Sequence, residues 1–255
     1  MSPESEAPVE AGERIATRLS RAGGCSRRAA ERWIAQGRIA IDGKKITEPG
    51  TRVPENALIT VDGKPVGEPA AASLWRYHKP RGLVVTHRDE KGRPTVFERL
   101  PKNLPRVVSV GRLDLTSEGL LLLTNDGALA RKLELPSTGW VRRYRVRVYG
   151  TVDDAALAAL ERGITIDGVR YGPIRARKES AKASNTWLLV SLAEGKNREI
   201  RKVMEHLGLK VSRLIRVSYG PFQLGNLGEG EVARVSGKVL SEQLGQLGHD
   251  ADRRG

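Results

Sequence analysis

The chain is poor in several residue types, and each scarcity removes a class of function. It has one cysteine, Cys25, in 255 residues. A single thiol cannot close an intramolecular disulfide, which fits a reducing compartment and sets the expectation of a cytoplasmic protein. Its histidines, His78, His87, His206 and His249, are scattered, with no cysteine cluster beside them. That pattern lacks metal-ligand spacing, so no metal is expected. No apolar run reaches the ~18 residues of a membrane span. The longest aliphatic stretch, Leu120 to Leu123, is only strand length. The opening MSPESEAPVEAGE is acidic, with neither a basic nor an apolar segment, so it does not read as a secretory signal. The stretch from Gly37 to Lys45, GRIAIDGKK, lacks the spacing and the Ser/Thr of a phosphate loop.

What is plentiful is positive charge. Lys and Arg number 44 against 30 Asp and Glu, a formal net charge of +14. Such a surplus serves solubility alone or a polyanionic partner, most often nucleic acid. Apolar residues make up 39% of the chain, enough to bury a real core.

The chain divides readily on paper. Residues 1–12 read as a disordered tail, 13–66 as a compact basic unit, 67–73 (GEPAAAS) as a linker, 74–237 as a strand-rich domain and 238–255 as a polar C-terminal tail. In the basic unit, 14–21 and 27–36 read as helices broken at Gly23-Gly24, with Ser26 at an N-cap position. Ala30, Trp33 and Ile34 give the second helix its buried face. Ile39 to Ile41, an Asp42-Gly43 turn and Lys44 to Ile46 read as a hairpin.

Arg27 and Arg28 occupy a first helical turn, where the macrodipole disfavours cations by roughly 0.3–1 kcal/mol each. Something other than helix stability favours them there. Arg21, Arg32, Arg38, Lys44 and Lys45 join them, against only Glu31 and Asp42 between Ser20 and Lys45. The set reads either as a solvated face or as a grip on an RNA backbone. The string GCSRRAAERWIAQGRIAIDGKKI resembles an S4 domain, a small RNA-binding module of two helices and a hairpin. Upstream, RIATRLSRAG departs further from it.

The most informative stretch is VVSVGRLDLTSEGLLLLTNDG, residues 107–127. Two apolar strands flank a loop with glycine at both ends, Gly111 and Gly119, and Asp114 sits in that loop. From the residues alone, Asp114 is a turn-former or a reactive carboxylate facing a cleft.

GRLDLTSEGLLLLTNDG resembles the signature of pseudouridine synthases of the RsuA/RluB type. Three further strings agree: KPRGLVVTHRDEKGRPTVFERLP (79–101), RRYRVRVYG (142–150) and EGKNREIRKVMEHLGLKVSRLIRVSYGPFQL (194–224). With the S4-like unit, the resemblance spans most of the chain in the family's order. It implies an enzyme that detaches uracil from C1′ of its ribose, turns it, and rejoins it through C5. Substrate and product are isomers, so no cofactor is expected. The resemblance makes Asp114 the catalytic carboxylate, as a nucleophile at C1′ or as a base toward a ribose proton.

A buried carboxylate stays ionised only if paired. Arg201 is the expected partner. Ile200, Val203, Met204 and Leu207 form a helical stripe, and Arg201 lies about 100° from Ile200 at its edge. Arg198 lies nearly opposite, toward solvent or RNA. The family's motif also has an arginine where Arg201 stands. The strand 141–149 has period two. Arg142, Tyr144, Val146 and Val148 point one way, and Arg143, Arg145 and Arg147 the other. Tyr144 is expected to support a flipped-out base, and the arginine set to be free for phosphates. Arg112 is expected to fill the gap left by the base or to hold a neighbouring phosphate. Lys79, Arg81, Arg88 and Arg93 are expected to extend the RNA surface.

The expected fold is α+β: a small S4-like domain, then a domain around a mixed, mostly antiparallel sheet. The expected activity is pseudouridine synthesis in rRNA by a monomer, on free rRNA or an assembling particle. GRPTVFERLP looks closer to RluB, which acts on the large subunit (23S), than to RsuA, which acts on the small (16S). Rival readings are a non-catalytic rRNA-binding or ribosome-assembly protein, and a glycosidic hydrolase using Glu118 as second carboxylate.

Overall fold

A computed structural model describes residues 12–182 and 185–252. The expected N-terminal tail lies, apart from Gly12, outside the described residues. Two compact units divide between Ala72 and Ser73. Ser73, expected in the linker, is tied into the second unit: its amide donates to Asn125 Oδ1 at 2.8 Å, and its carbonyl accepts from Thr124 Oγ1 at 2.7 Å.

In the first unit, β1 (Glu13–Arg14) leads into α1 (Ile15–Arg21) and α2 (Arg27–Ala35). The Ser26 side chain caps α2 by accepting from the Ala29 amide at 3.1 Å. There follow β2 (Ile39–Ile41), β3 (Lys44–Ile46), β4 (Arg52–Val53), β5 (Ile59–Val61) and β6 (Lys64–Pro65). The sheet order is β3-β2-β5-β6, with β1 and β4 paired separately. Both hairpins turn on Asp-Gly pairs with positive φ: Asp42 at 49° with Gly43 at 81°, and Asp62 at 50° with Gly63 at 77°. That backbone twist matches the twist of the strands it joins. Ile15, Leu19, Ala30, Ile34, Ile39 and Val53 form the core.

The second unit runs β7 (Leu74–Lys79), β8 (Val108–Val110), β9 (Glu118–Thr124), α3 (Gly127–Glu134), β10 (Arg142–Tyr149) and α4 (Asp154–Ala159). Next come β11 (Ile164–Ile166), β12 (Val169–Tyr171), β13 (Ile174–Lys182), β14 (Asn185–Leu192), α5 (Glu199–His206) and β15 (Lys210–Tyr219). Strands β16 (Phe222–Gln223) and β17 (Val232–Arg234) and helix α6 (Gly237–Asp252) complete it. Nine strands form one sheet in the order β13-β14-β10-β15-β9-β7-β17, with β16 on β15 and β8 on β9. Its pairings are antiparallel except β15 with β9, which run parallel at Ile215↔Glu118 and Arg216↔Gly119. The fold is the α+β arrangement the sequence implies.

Strand β9 is buried throughout because both faces are covered, hence its unbroken leucine run. One cluster joins Leu121, Leu123, Tyr144 and Val146 to Leu157 of α4 and to Ile200, Val203 and Met204 of α5. The other joins Leu120, Leu122, Tyr219 and Phe222 to Leu129 and Leu133 of α3 and Leu240 of α6. The expected C-terminal tail is therefore corrected. Residues through Asp252 are helical, because Leu240 and Leu244 give the segment an apolar side to bury on the second cluster.

Candidate active site

The loop between β8 and β9 holds Asp114. At its start, the Gly111 amide donates to Glu134 Oε1 at 2.6 Å. Its next turn is fixed through four successive carbonyls. That of Asp114 accepts from the Ser117 amide at 3.0 Å and Lys79 Nζ at 3.2 Å. That of Leu115 accepts from the Gly82 amide at 2.8 Å, and that of Thr116 from Arg201 Nη2 at 3.2 Å. That of Ser117 accepts from Lys79 Nζ at 2.8 Å. Among the described residues, the Asp114 carboxylate itself makes no hydrogen bond or ion pair. The main chain is pinned while the carboxylate is left uncommitted.

Lys79 is the anchor, and its expected place on an RNA surface is corrected. It is fully buried, on the side of β7 that carries Trp75 and Tyr77, and also donates to the Pro80 carbonyl at 3.0 Å. Burial pulls its ammonium down to about 8; the nearby Asp114 and Glu118 pull it back up, and Arg216 adds to the lowering. The sequence signal was the period of two along β7, which sets Lys79 inward with Trp75 and Tyr77.

Arg201 lies where the helical stripe of α5 implies, with Ile200, Val203 and Met204 buried beside it. It reaches the loop differently from expectation. No ion pair joins it to Asp114 among the described residues; its guanidinium holds the Thr116 carbonyl instead. Its edge position meets the turn's backbone before it meets the side chain. Burial lowers its pKa, as do Arg198 and Arg81, while Asp114 raises it. These four residues therefore share one electrostatic neighbourhood. Arg112 and Arg198 are both exposed, Arg198 in a left-handed conformation (φ 52°) at the start of α5.

Tyr144 faces inward with Val146 and Val148, and Arg143 and Arg147 outward, as period two requires. It shares an apolar cluster with Leu113, which precedes Asp114, and with Ile200, which precedes Arg201. Tyr144 thus belongs to one cluster with the residues that precede Asp114 and Arg201.

Two features escaped sequence reasoning. Arg216 is 3% exposed on β15, opposite Tyr144, and donates through Nε to the Leu120 carbonyl at 2.7 Å. Leu214, Arg216 and Ser218 alternate with partly buried neighbours, but with Ile215 and Val217 apolar the sequence carried no signal for it. Gly119 is the second. Its φ is +101°, and a Cβ there would lie 2.4 Å from the Arg216 carbonyl oxygen, so only glycine lets β9 and β15 approach here. Ser117 Oγ, Arg201 Nε and Arg216 Nη2 are buried without partners around this junction. Such polar capacity, not consumed internally, is a mark of a site. Glu118, only 2% exposed, pairs with Arg213 at 2.5 Å, so it is spoken for structurally.

In the first unit, Arg27, Arg28, Arg32, Lys44 and Lys45 are exposed. Arg38 differs: Asp62 holds its guanidinium at 2.5–3.1 Å, and it lies 5.1 Å from the Trp33 ring centre. Arg93 is likewise held by Asp89 at 2.7 Å. Arg88 stays exposed.

This arrangement of a pinned acidic loop at a parallel seam has a family. Residues 73–206 match the RNA pseudouridylate synthase family, and residues 13–59 match the S4 domain. The chain belongs to the RNA pseudouridylate synthases, and is an isomerase acting on RNA. It is 46% identical to an uncharacterized RNA pseudouridine synthase of Rickettsia felis, over 90% of this chain and 100% of that one. It is 43% identical to ribosomal large subunit pseudouridine synthase B of Yersinia pestis, over 84% of this chain and 69% of that one. Its fold is similar to that of a crystallised pseudouridylate synthase at a TM-score of 0.61 and 24% identity, covering 89% and 99% of the two chains. Among the described residues, no helix is long and apolar enough to cross a membrane.

Proposed function

We propose that this chain, working as a single copy, converts a uridine of large-subunit rRNA to pseudouridine, with Asp114 as the reacting carboxylate. The N1–C1′ bond of the uridine breaks, the base turns, the C5–C1′ bond forms, and the proton lost from C5 is balanced by one taken up at N1. The observation that carries the reading is the Asp114 loop: four successive carbonyls fixed, the carboxylate free of partners among the described residues. A group held in position without being engaged is ready for a substrate atom. Arg201, half-buried nearby, acts on the loop through the Thr116 carbonyl and feels Asp114 through its field, without direct contact. Tyr144 offers the flipped base a surface, worth about 1–3 kcal/mol. Arg112 and Arg198 receive the flanking backbone, and Arg27, Arg28, Arg32, Lys44 and Lys45 of the first unit add further phosphate contacts. The large-subunit target is supported by the name of the Yersinia pestis relative.

The test is pseudouridine mapping across rRNA from cells with and without this gene, complemented by wild type or Asp114→Asn. Loss of a large-subunit site, restored by wild type alone, is expected. Restoration by Asp114→Asn overturns the role of Asp114, and loss confined to small-subunit rRNA overturns the target.

A further inference from the structure

The sheet of the second unit has an open basic face that the proposed chemistry does not use. Along β10, Tyr144, Val146 and Val148 point into the core, so Arg143, Arg145, Arg147 and Tyr149 point the other way. The strand register extends this face sideways. Arg143 and Arg175 flank Ser191 from opposite sides, and Arg145 and Arg177 flank Leu189. Arg147 lies opposite Trp187. Strands β10 and β13 therefore present five arginines in two rows, each about 5 Å from the Trp187, Leu189 and Ser191 row of β14 that lies between them.

Few of these charges are answered within the protein. Arg145 pairs with Glu179 at 2.7 Å and lies 4.8 Å from the Trp187 ring centre. Arg147 donates to Ser212 Oγ at 3.0 Å. Among the described residues, the side chains of Arg143, Arg175 and Arg177 make no hydrogen bond or ion pair, and all three are exposed. Tyr149, 56% exposed, adds an aromatic surface at the end of the row. Exposed like charges on one face repel one another weakly through solvent. Five arginines against one glutamate are tolerated best where an anion lies across them.

We infer that this outward sheet face is a second RNA-docking surface, which holds the phosphate backbone of the substrate away from the site of Asp114. RNA fits because the charge is almost wholly arginine, exposed, and interleaved with Trp187 and Tyr149, the mixture that binds backbone without reading bases. The face is the reverse side of β10 from Tyr144. A strand lying on it therefore contacts the protein independently of a nucleotide in the cleft. The inference rests on the RNA substrate, not on the role of Asp114.

The test uses the full chain and an in vitro transcript of large-subunit rRNA. Binding is measured across a series of KCl concentrations for wild type and for a variant with Gln at Arg143, Arg147, Arg175 and Arg177. Each lost phosphate contact lowers the slope of log affinity against log salt by roughly one. A reduction of two or more is expected, with an unchanged unfolding midpoint. An edge-strand variant, Arg175→Gln/Arg177→Gln, should lose about half as much, and stays informative should the larger one misfold. A control removes equal charge elsewhere by Gln at Arg131, Lys132, Arg162 and Lys238, all exposed. An unchanged slope in the sheet variants overturns the proposal, and so does an equal fall in the control. Pseudouridine formed by wild type in the same transcript reports separately on the proposed target.

Discussion

The two units treat charge in opposite ways. In the first, the core is apolar and the cations stand outside: Arg27, Arg28, Arg32 and Lys45 are exposed around Ile15, Leu19, Ala30 and Ile34. In the second, ions go inside. Among the described residues, every buried charged side chain, namely Lys79, Glu118, Glu199 and Arg216, belongs to it. Binding a polyanion needs only surface charge, which water leaves mobile. Holding a reacting group in place needs donors that cannot wander, and burial supplies that at a desolvation cost. Small-core economy and chemical precision are thus divided between the two parts.

The contrast is broken most severely at Asp114. Asp114→Asn should lower the single-turnover rate by about a thousandfold or more. Its unfolding curve should overlay that of wild type, since the loop is held by main-chain carbonyls. Next comes Arg201→Lys, which keeps the charge but replaces the guanidinium whose Nη2 reaches the Thr116 carbonyl. Its rate should fall roughly a hundredfold, on the scale of a misplaced site; near-normal turnover would show that charge alone suffices.

Lys79 sharpens the comparison through pH. Its pKa is held down to about 8 in the fold, below the ordinary lysine value of 10.5. Between those values the unfolded chain binds more protons, so this group makes stability rise as pH increases from about 8 to 10.5. Lys79→Met should remove that rise, worth at most about 3 kcal/mol, as read by urea unfolding of both proteins at pH 7.5 and 10. An identical pH profile in the two would deny Lys79 this part. In the first unit, Arg27→Ala/Arg28→Ala should reduce the salt slope of RNA binding by about two, with no change in unfolding. Smallest of all is Arg38→Ala. Its pair with Asp62 is solvent-exposed, so the unfolding midpoint should not measurably move.

The units also differed in how legible they were. In the first, α2 and the β2–β3 hairpin follow from Ser26, the apolar positions 30, 33 and 34, and Asp42-Gly43, all local signals. The β5–β6 hairpin uses the same chemistry at Asp62-Gly63, but its strands are too short to show a period. In the second unit, the alternation in β10 and the stripe of α5 were legible because each has one buried face. Strand β13 was not, since RARKESAK carries charge on a face open to water. Helix α6 was hidden by glycines at 237 and 245, and owes its order to the leucines it buries. Of the candidate site, the inward face of Tyr144 and the helix-edge position of Arg201 were legible through period, while Asp114 stood out through its motif alone. The engagement of Arg201 with a carbonyl rather than with Asp114 depends on where a loop crosses α5, which no local pattern encodes.

The seam at Gly119 has a consequence for how this enzyme comes into being. The Asp114 turn belongs to an early part of the domain, yet Arg201 and the strand beside Gly119 come roughly ninety residues later in translation. A chain that stops before Lys210 has the donors that fix the turn's carbonyls but lacks the strand that Gly119 packs against. Sealing that seam must therefore wait until a segment roughly ninety residues downstream of the turn has left the ribosome.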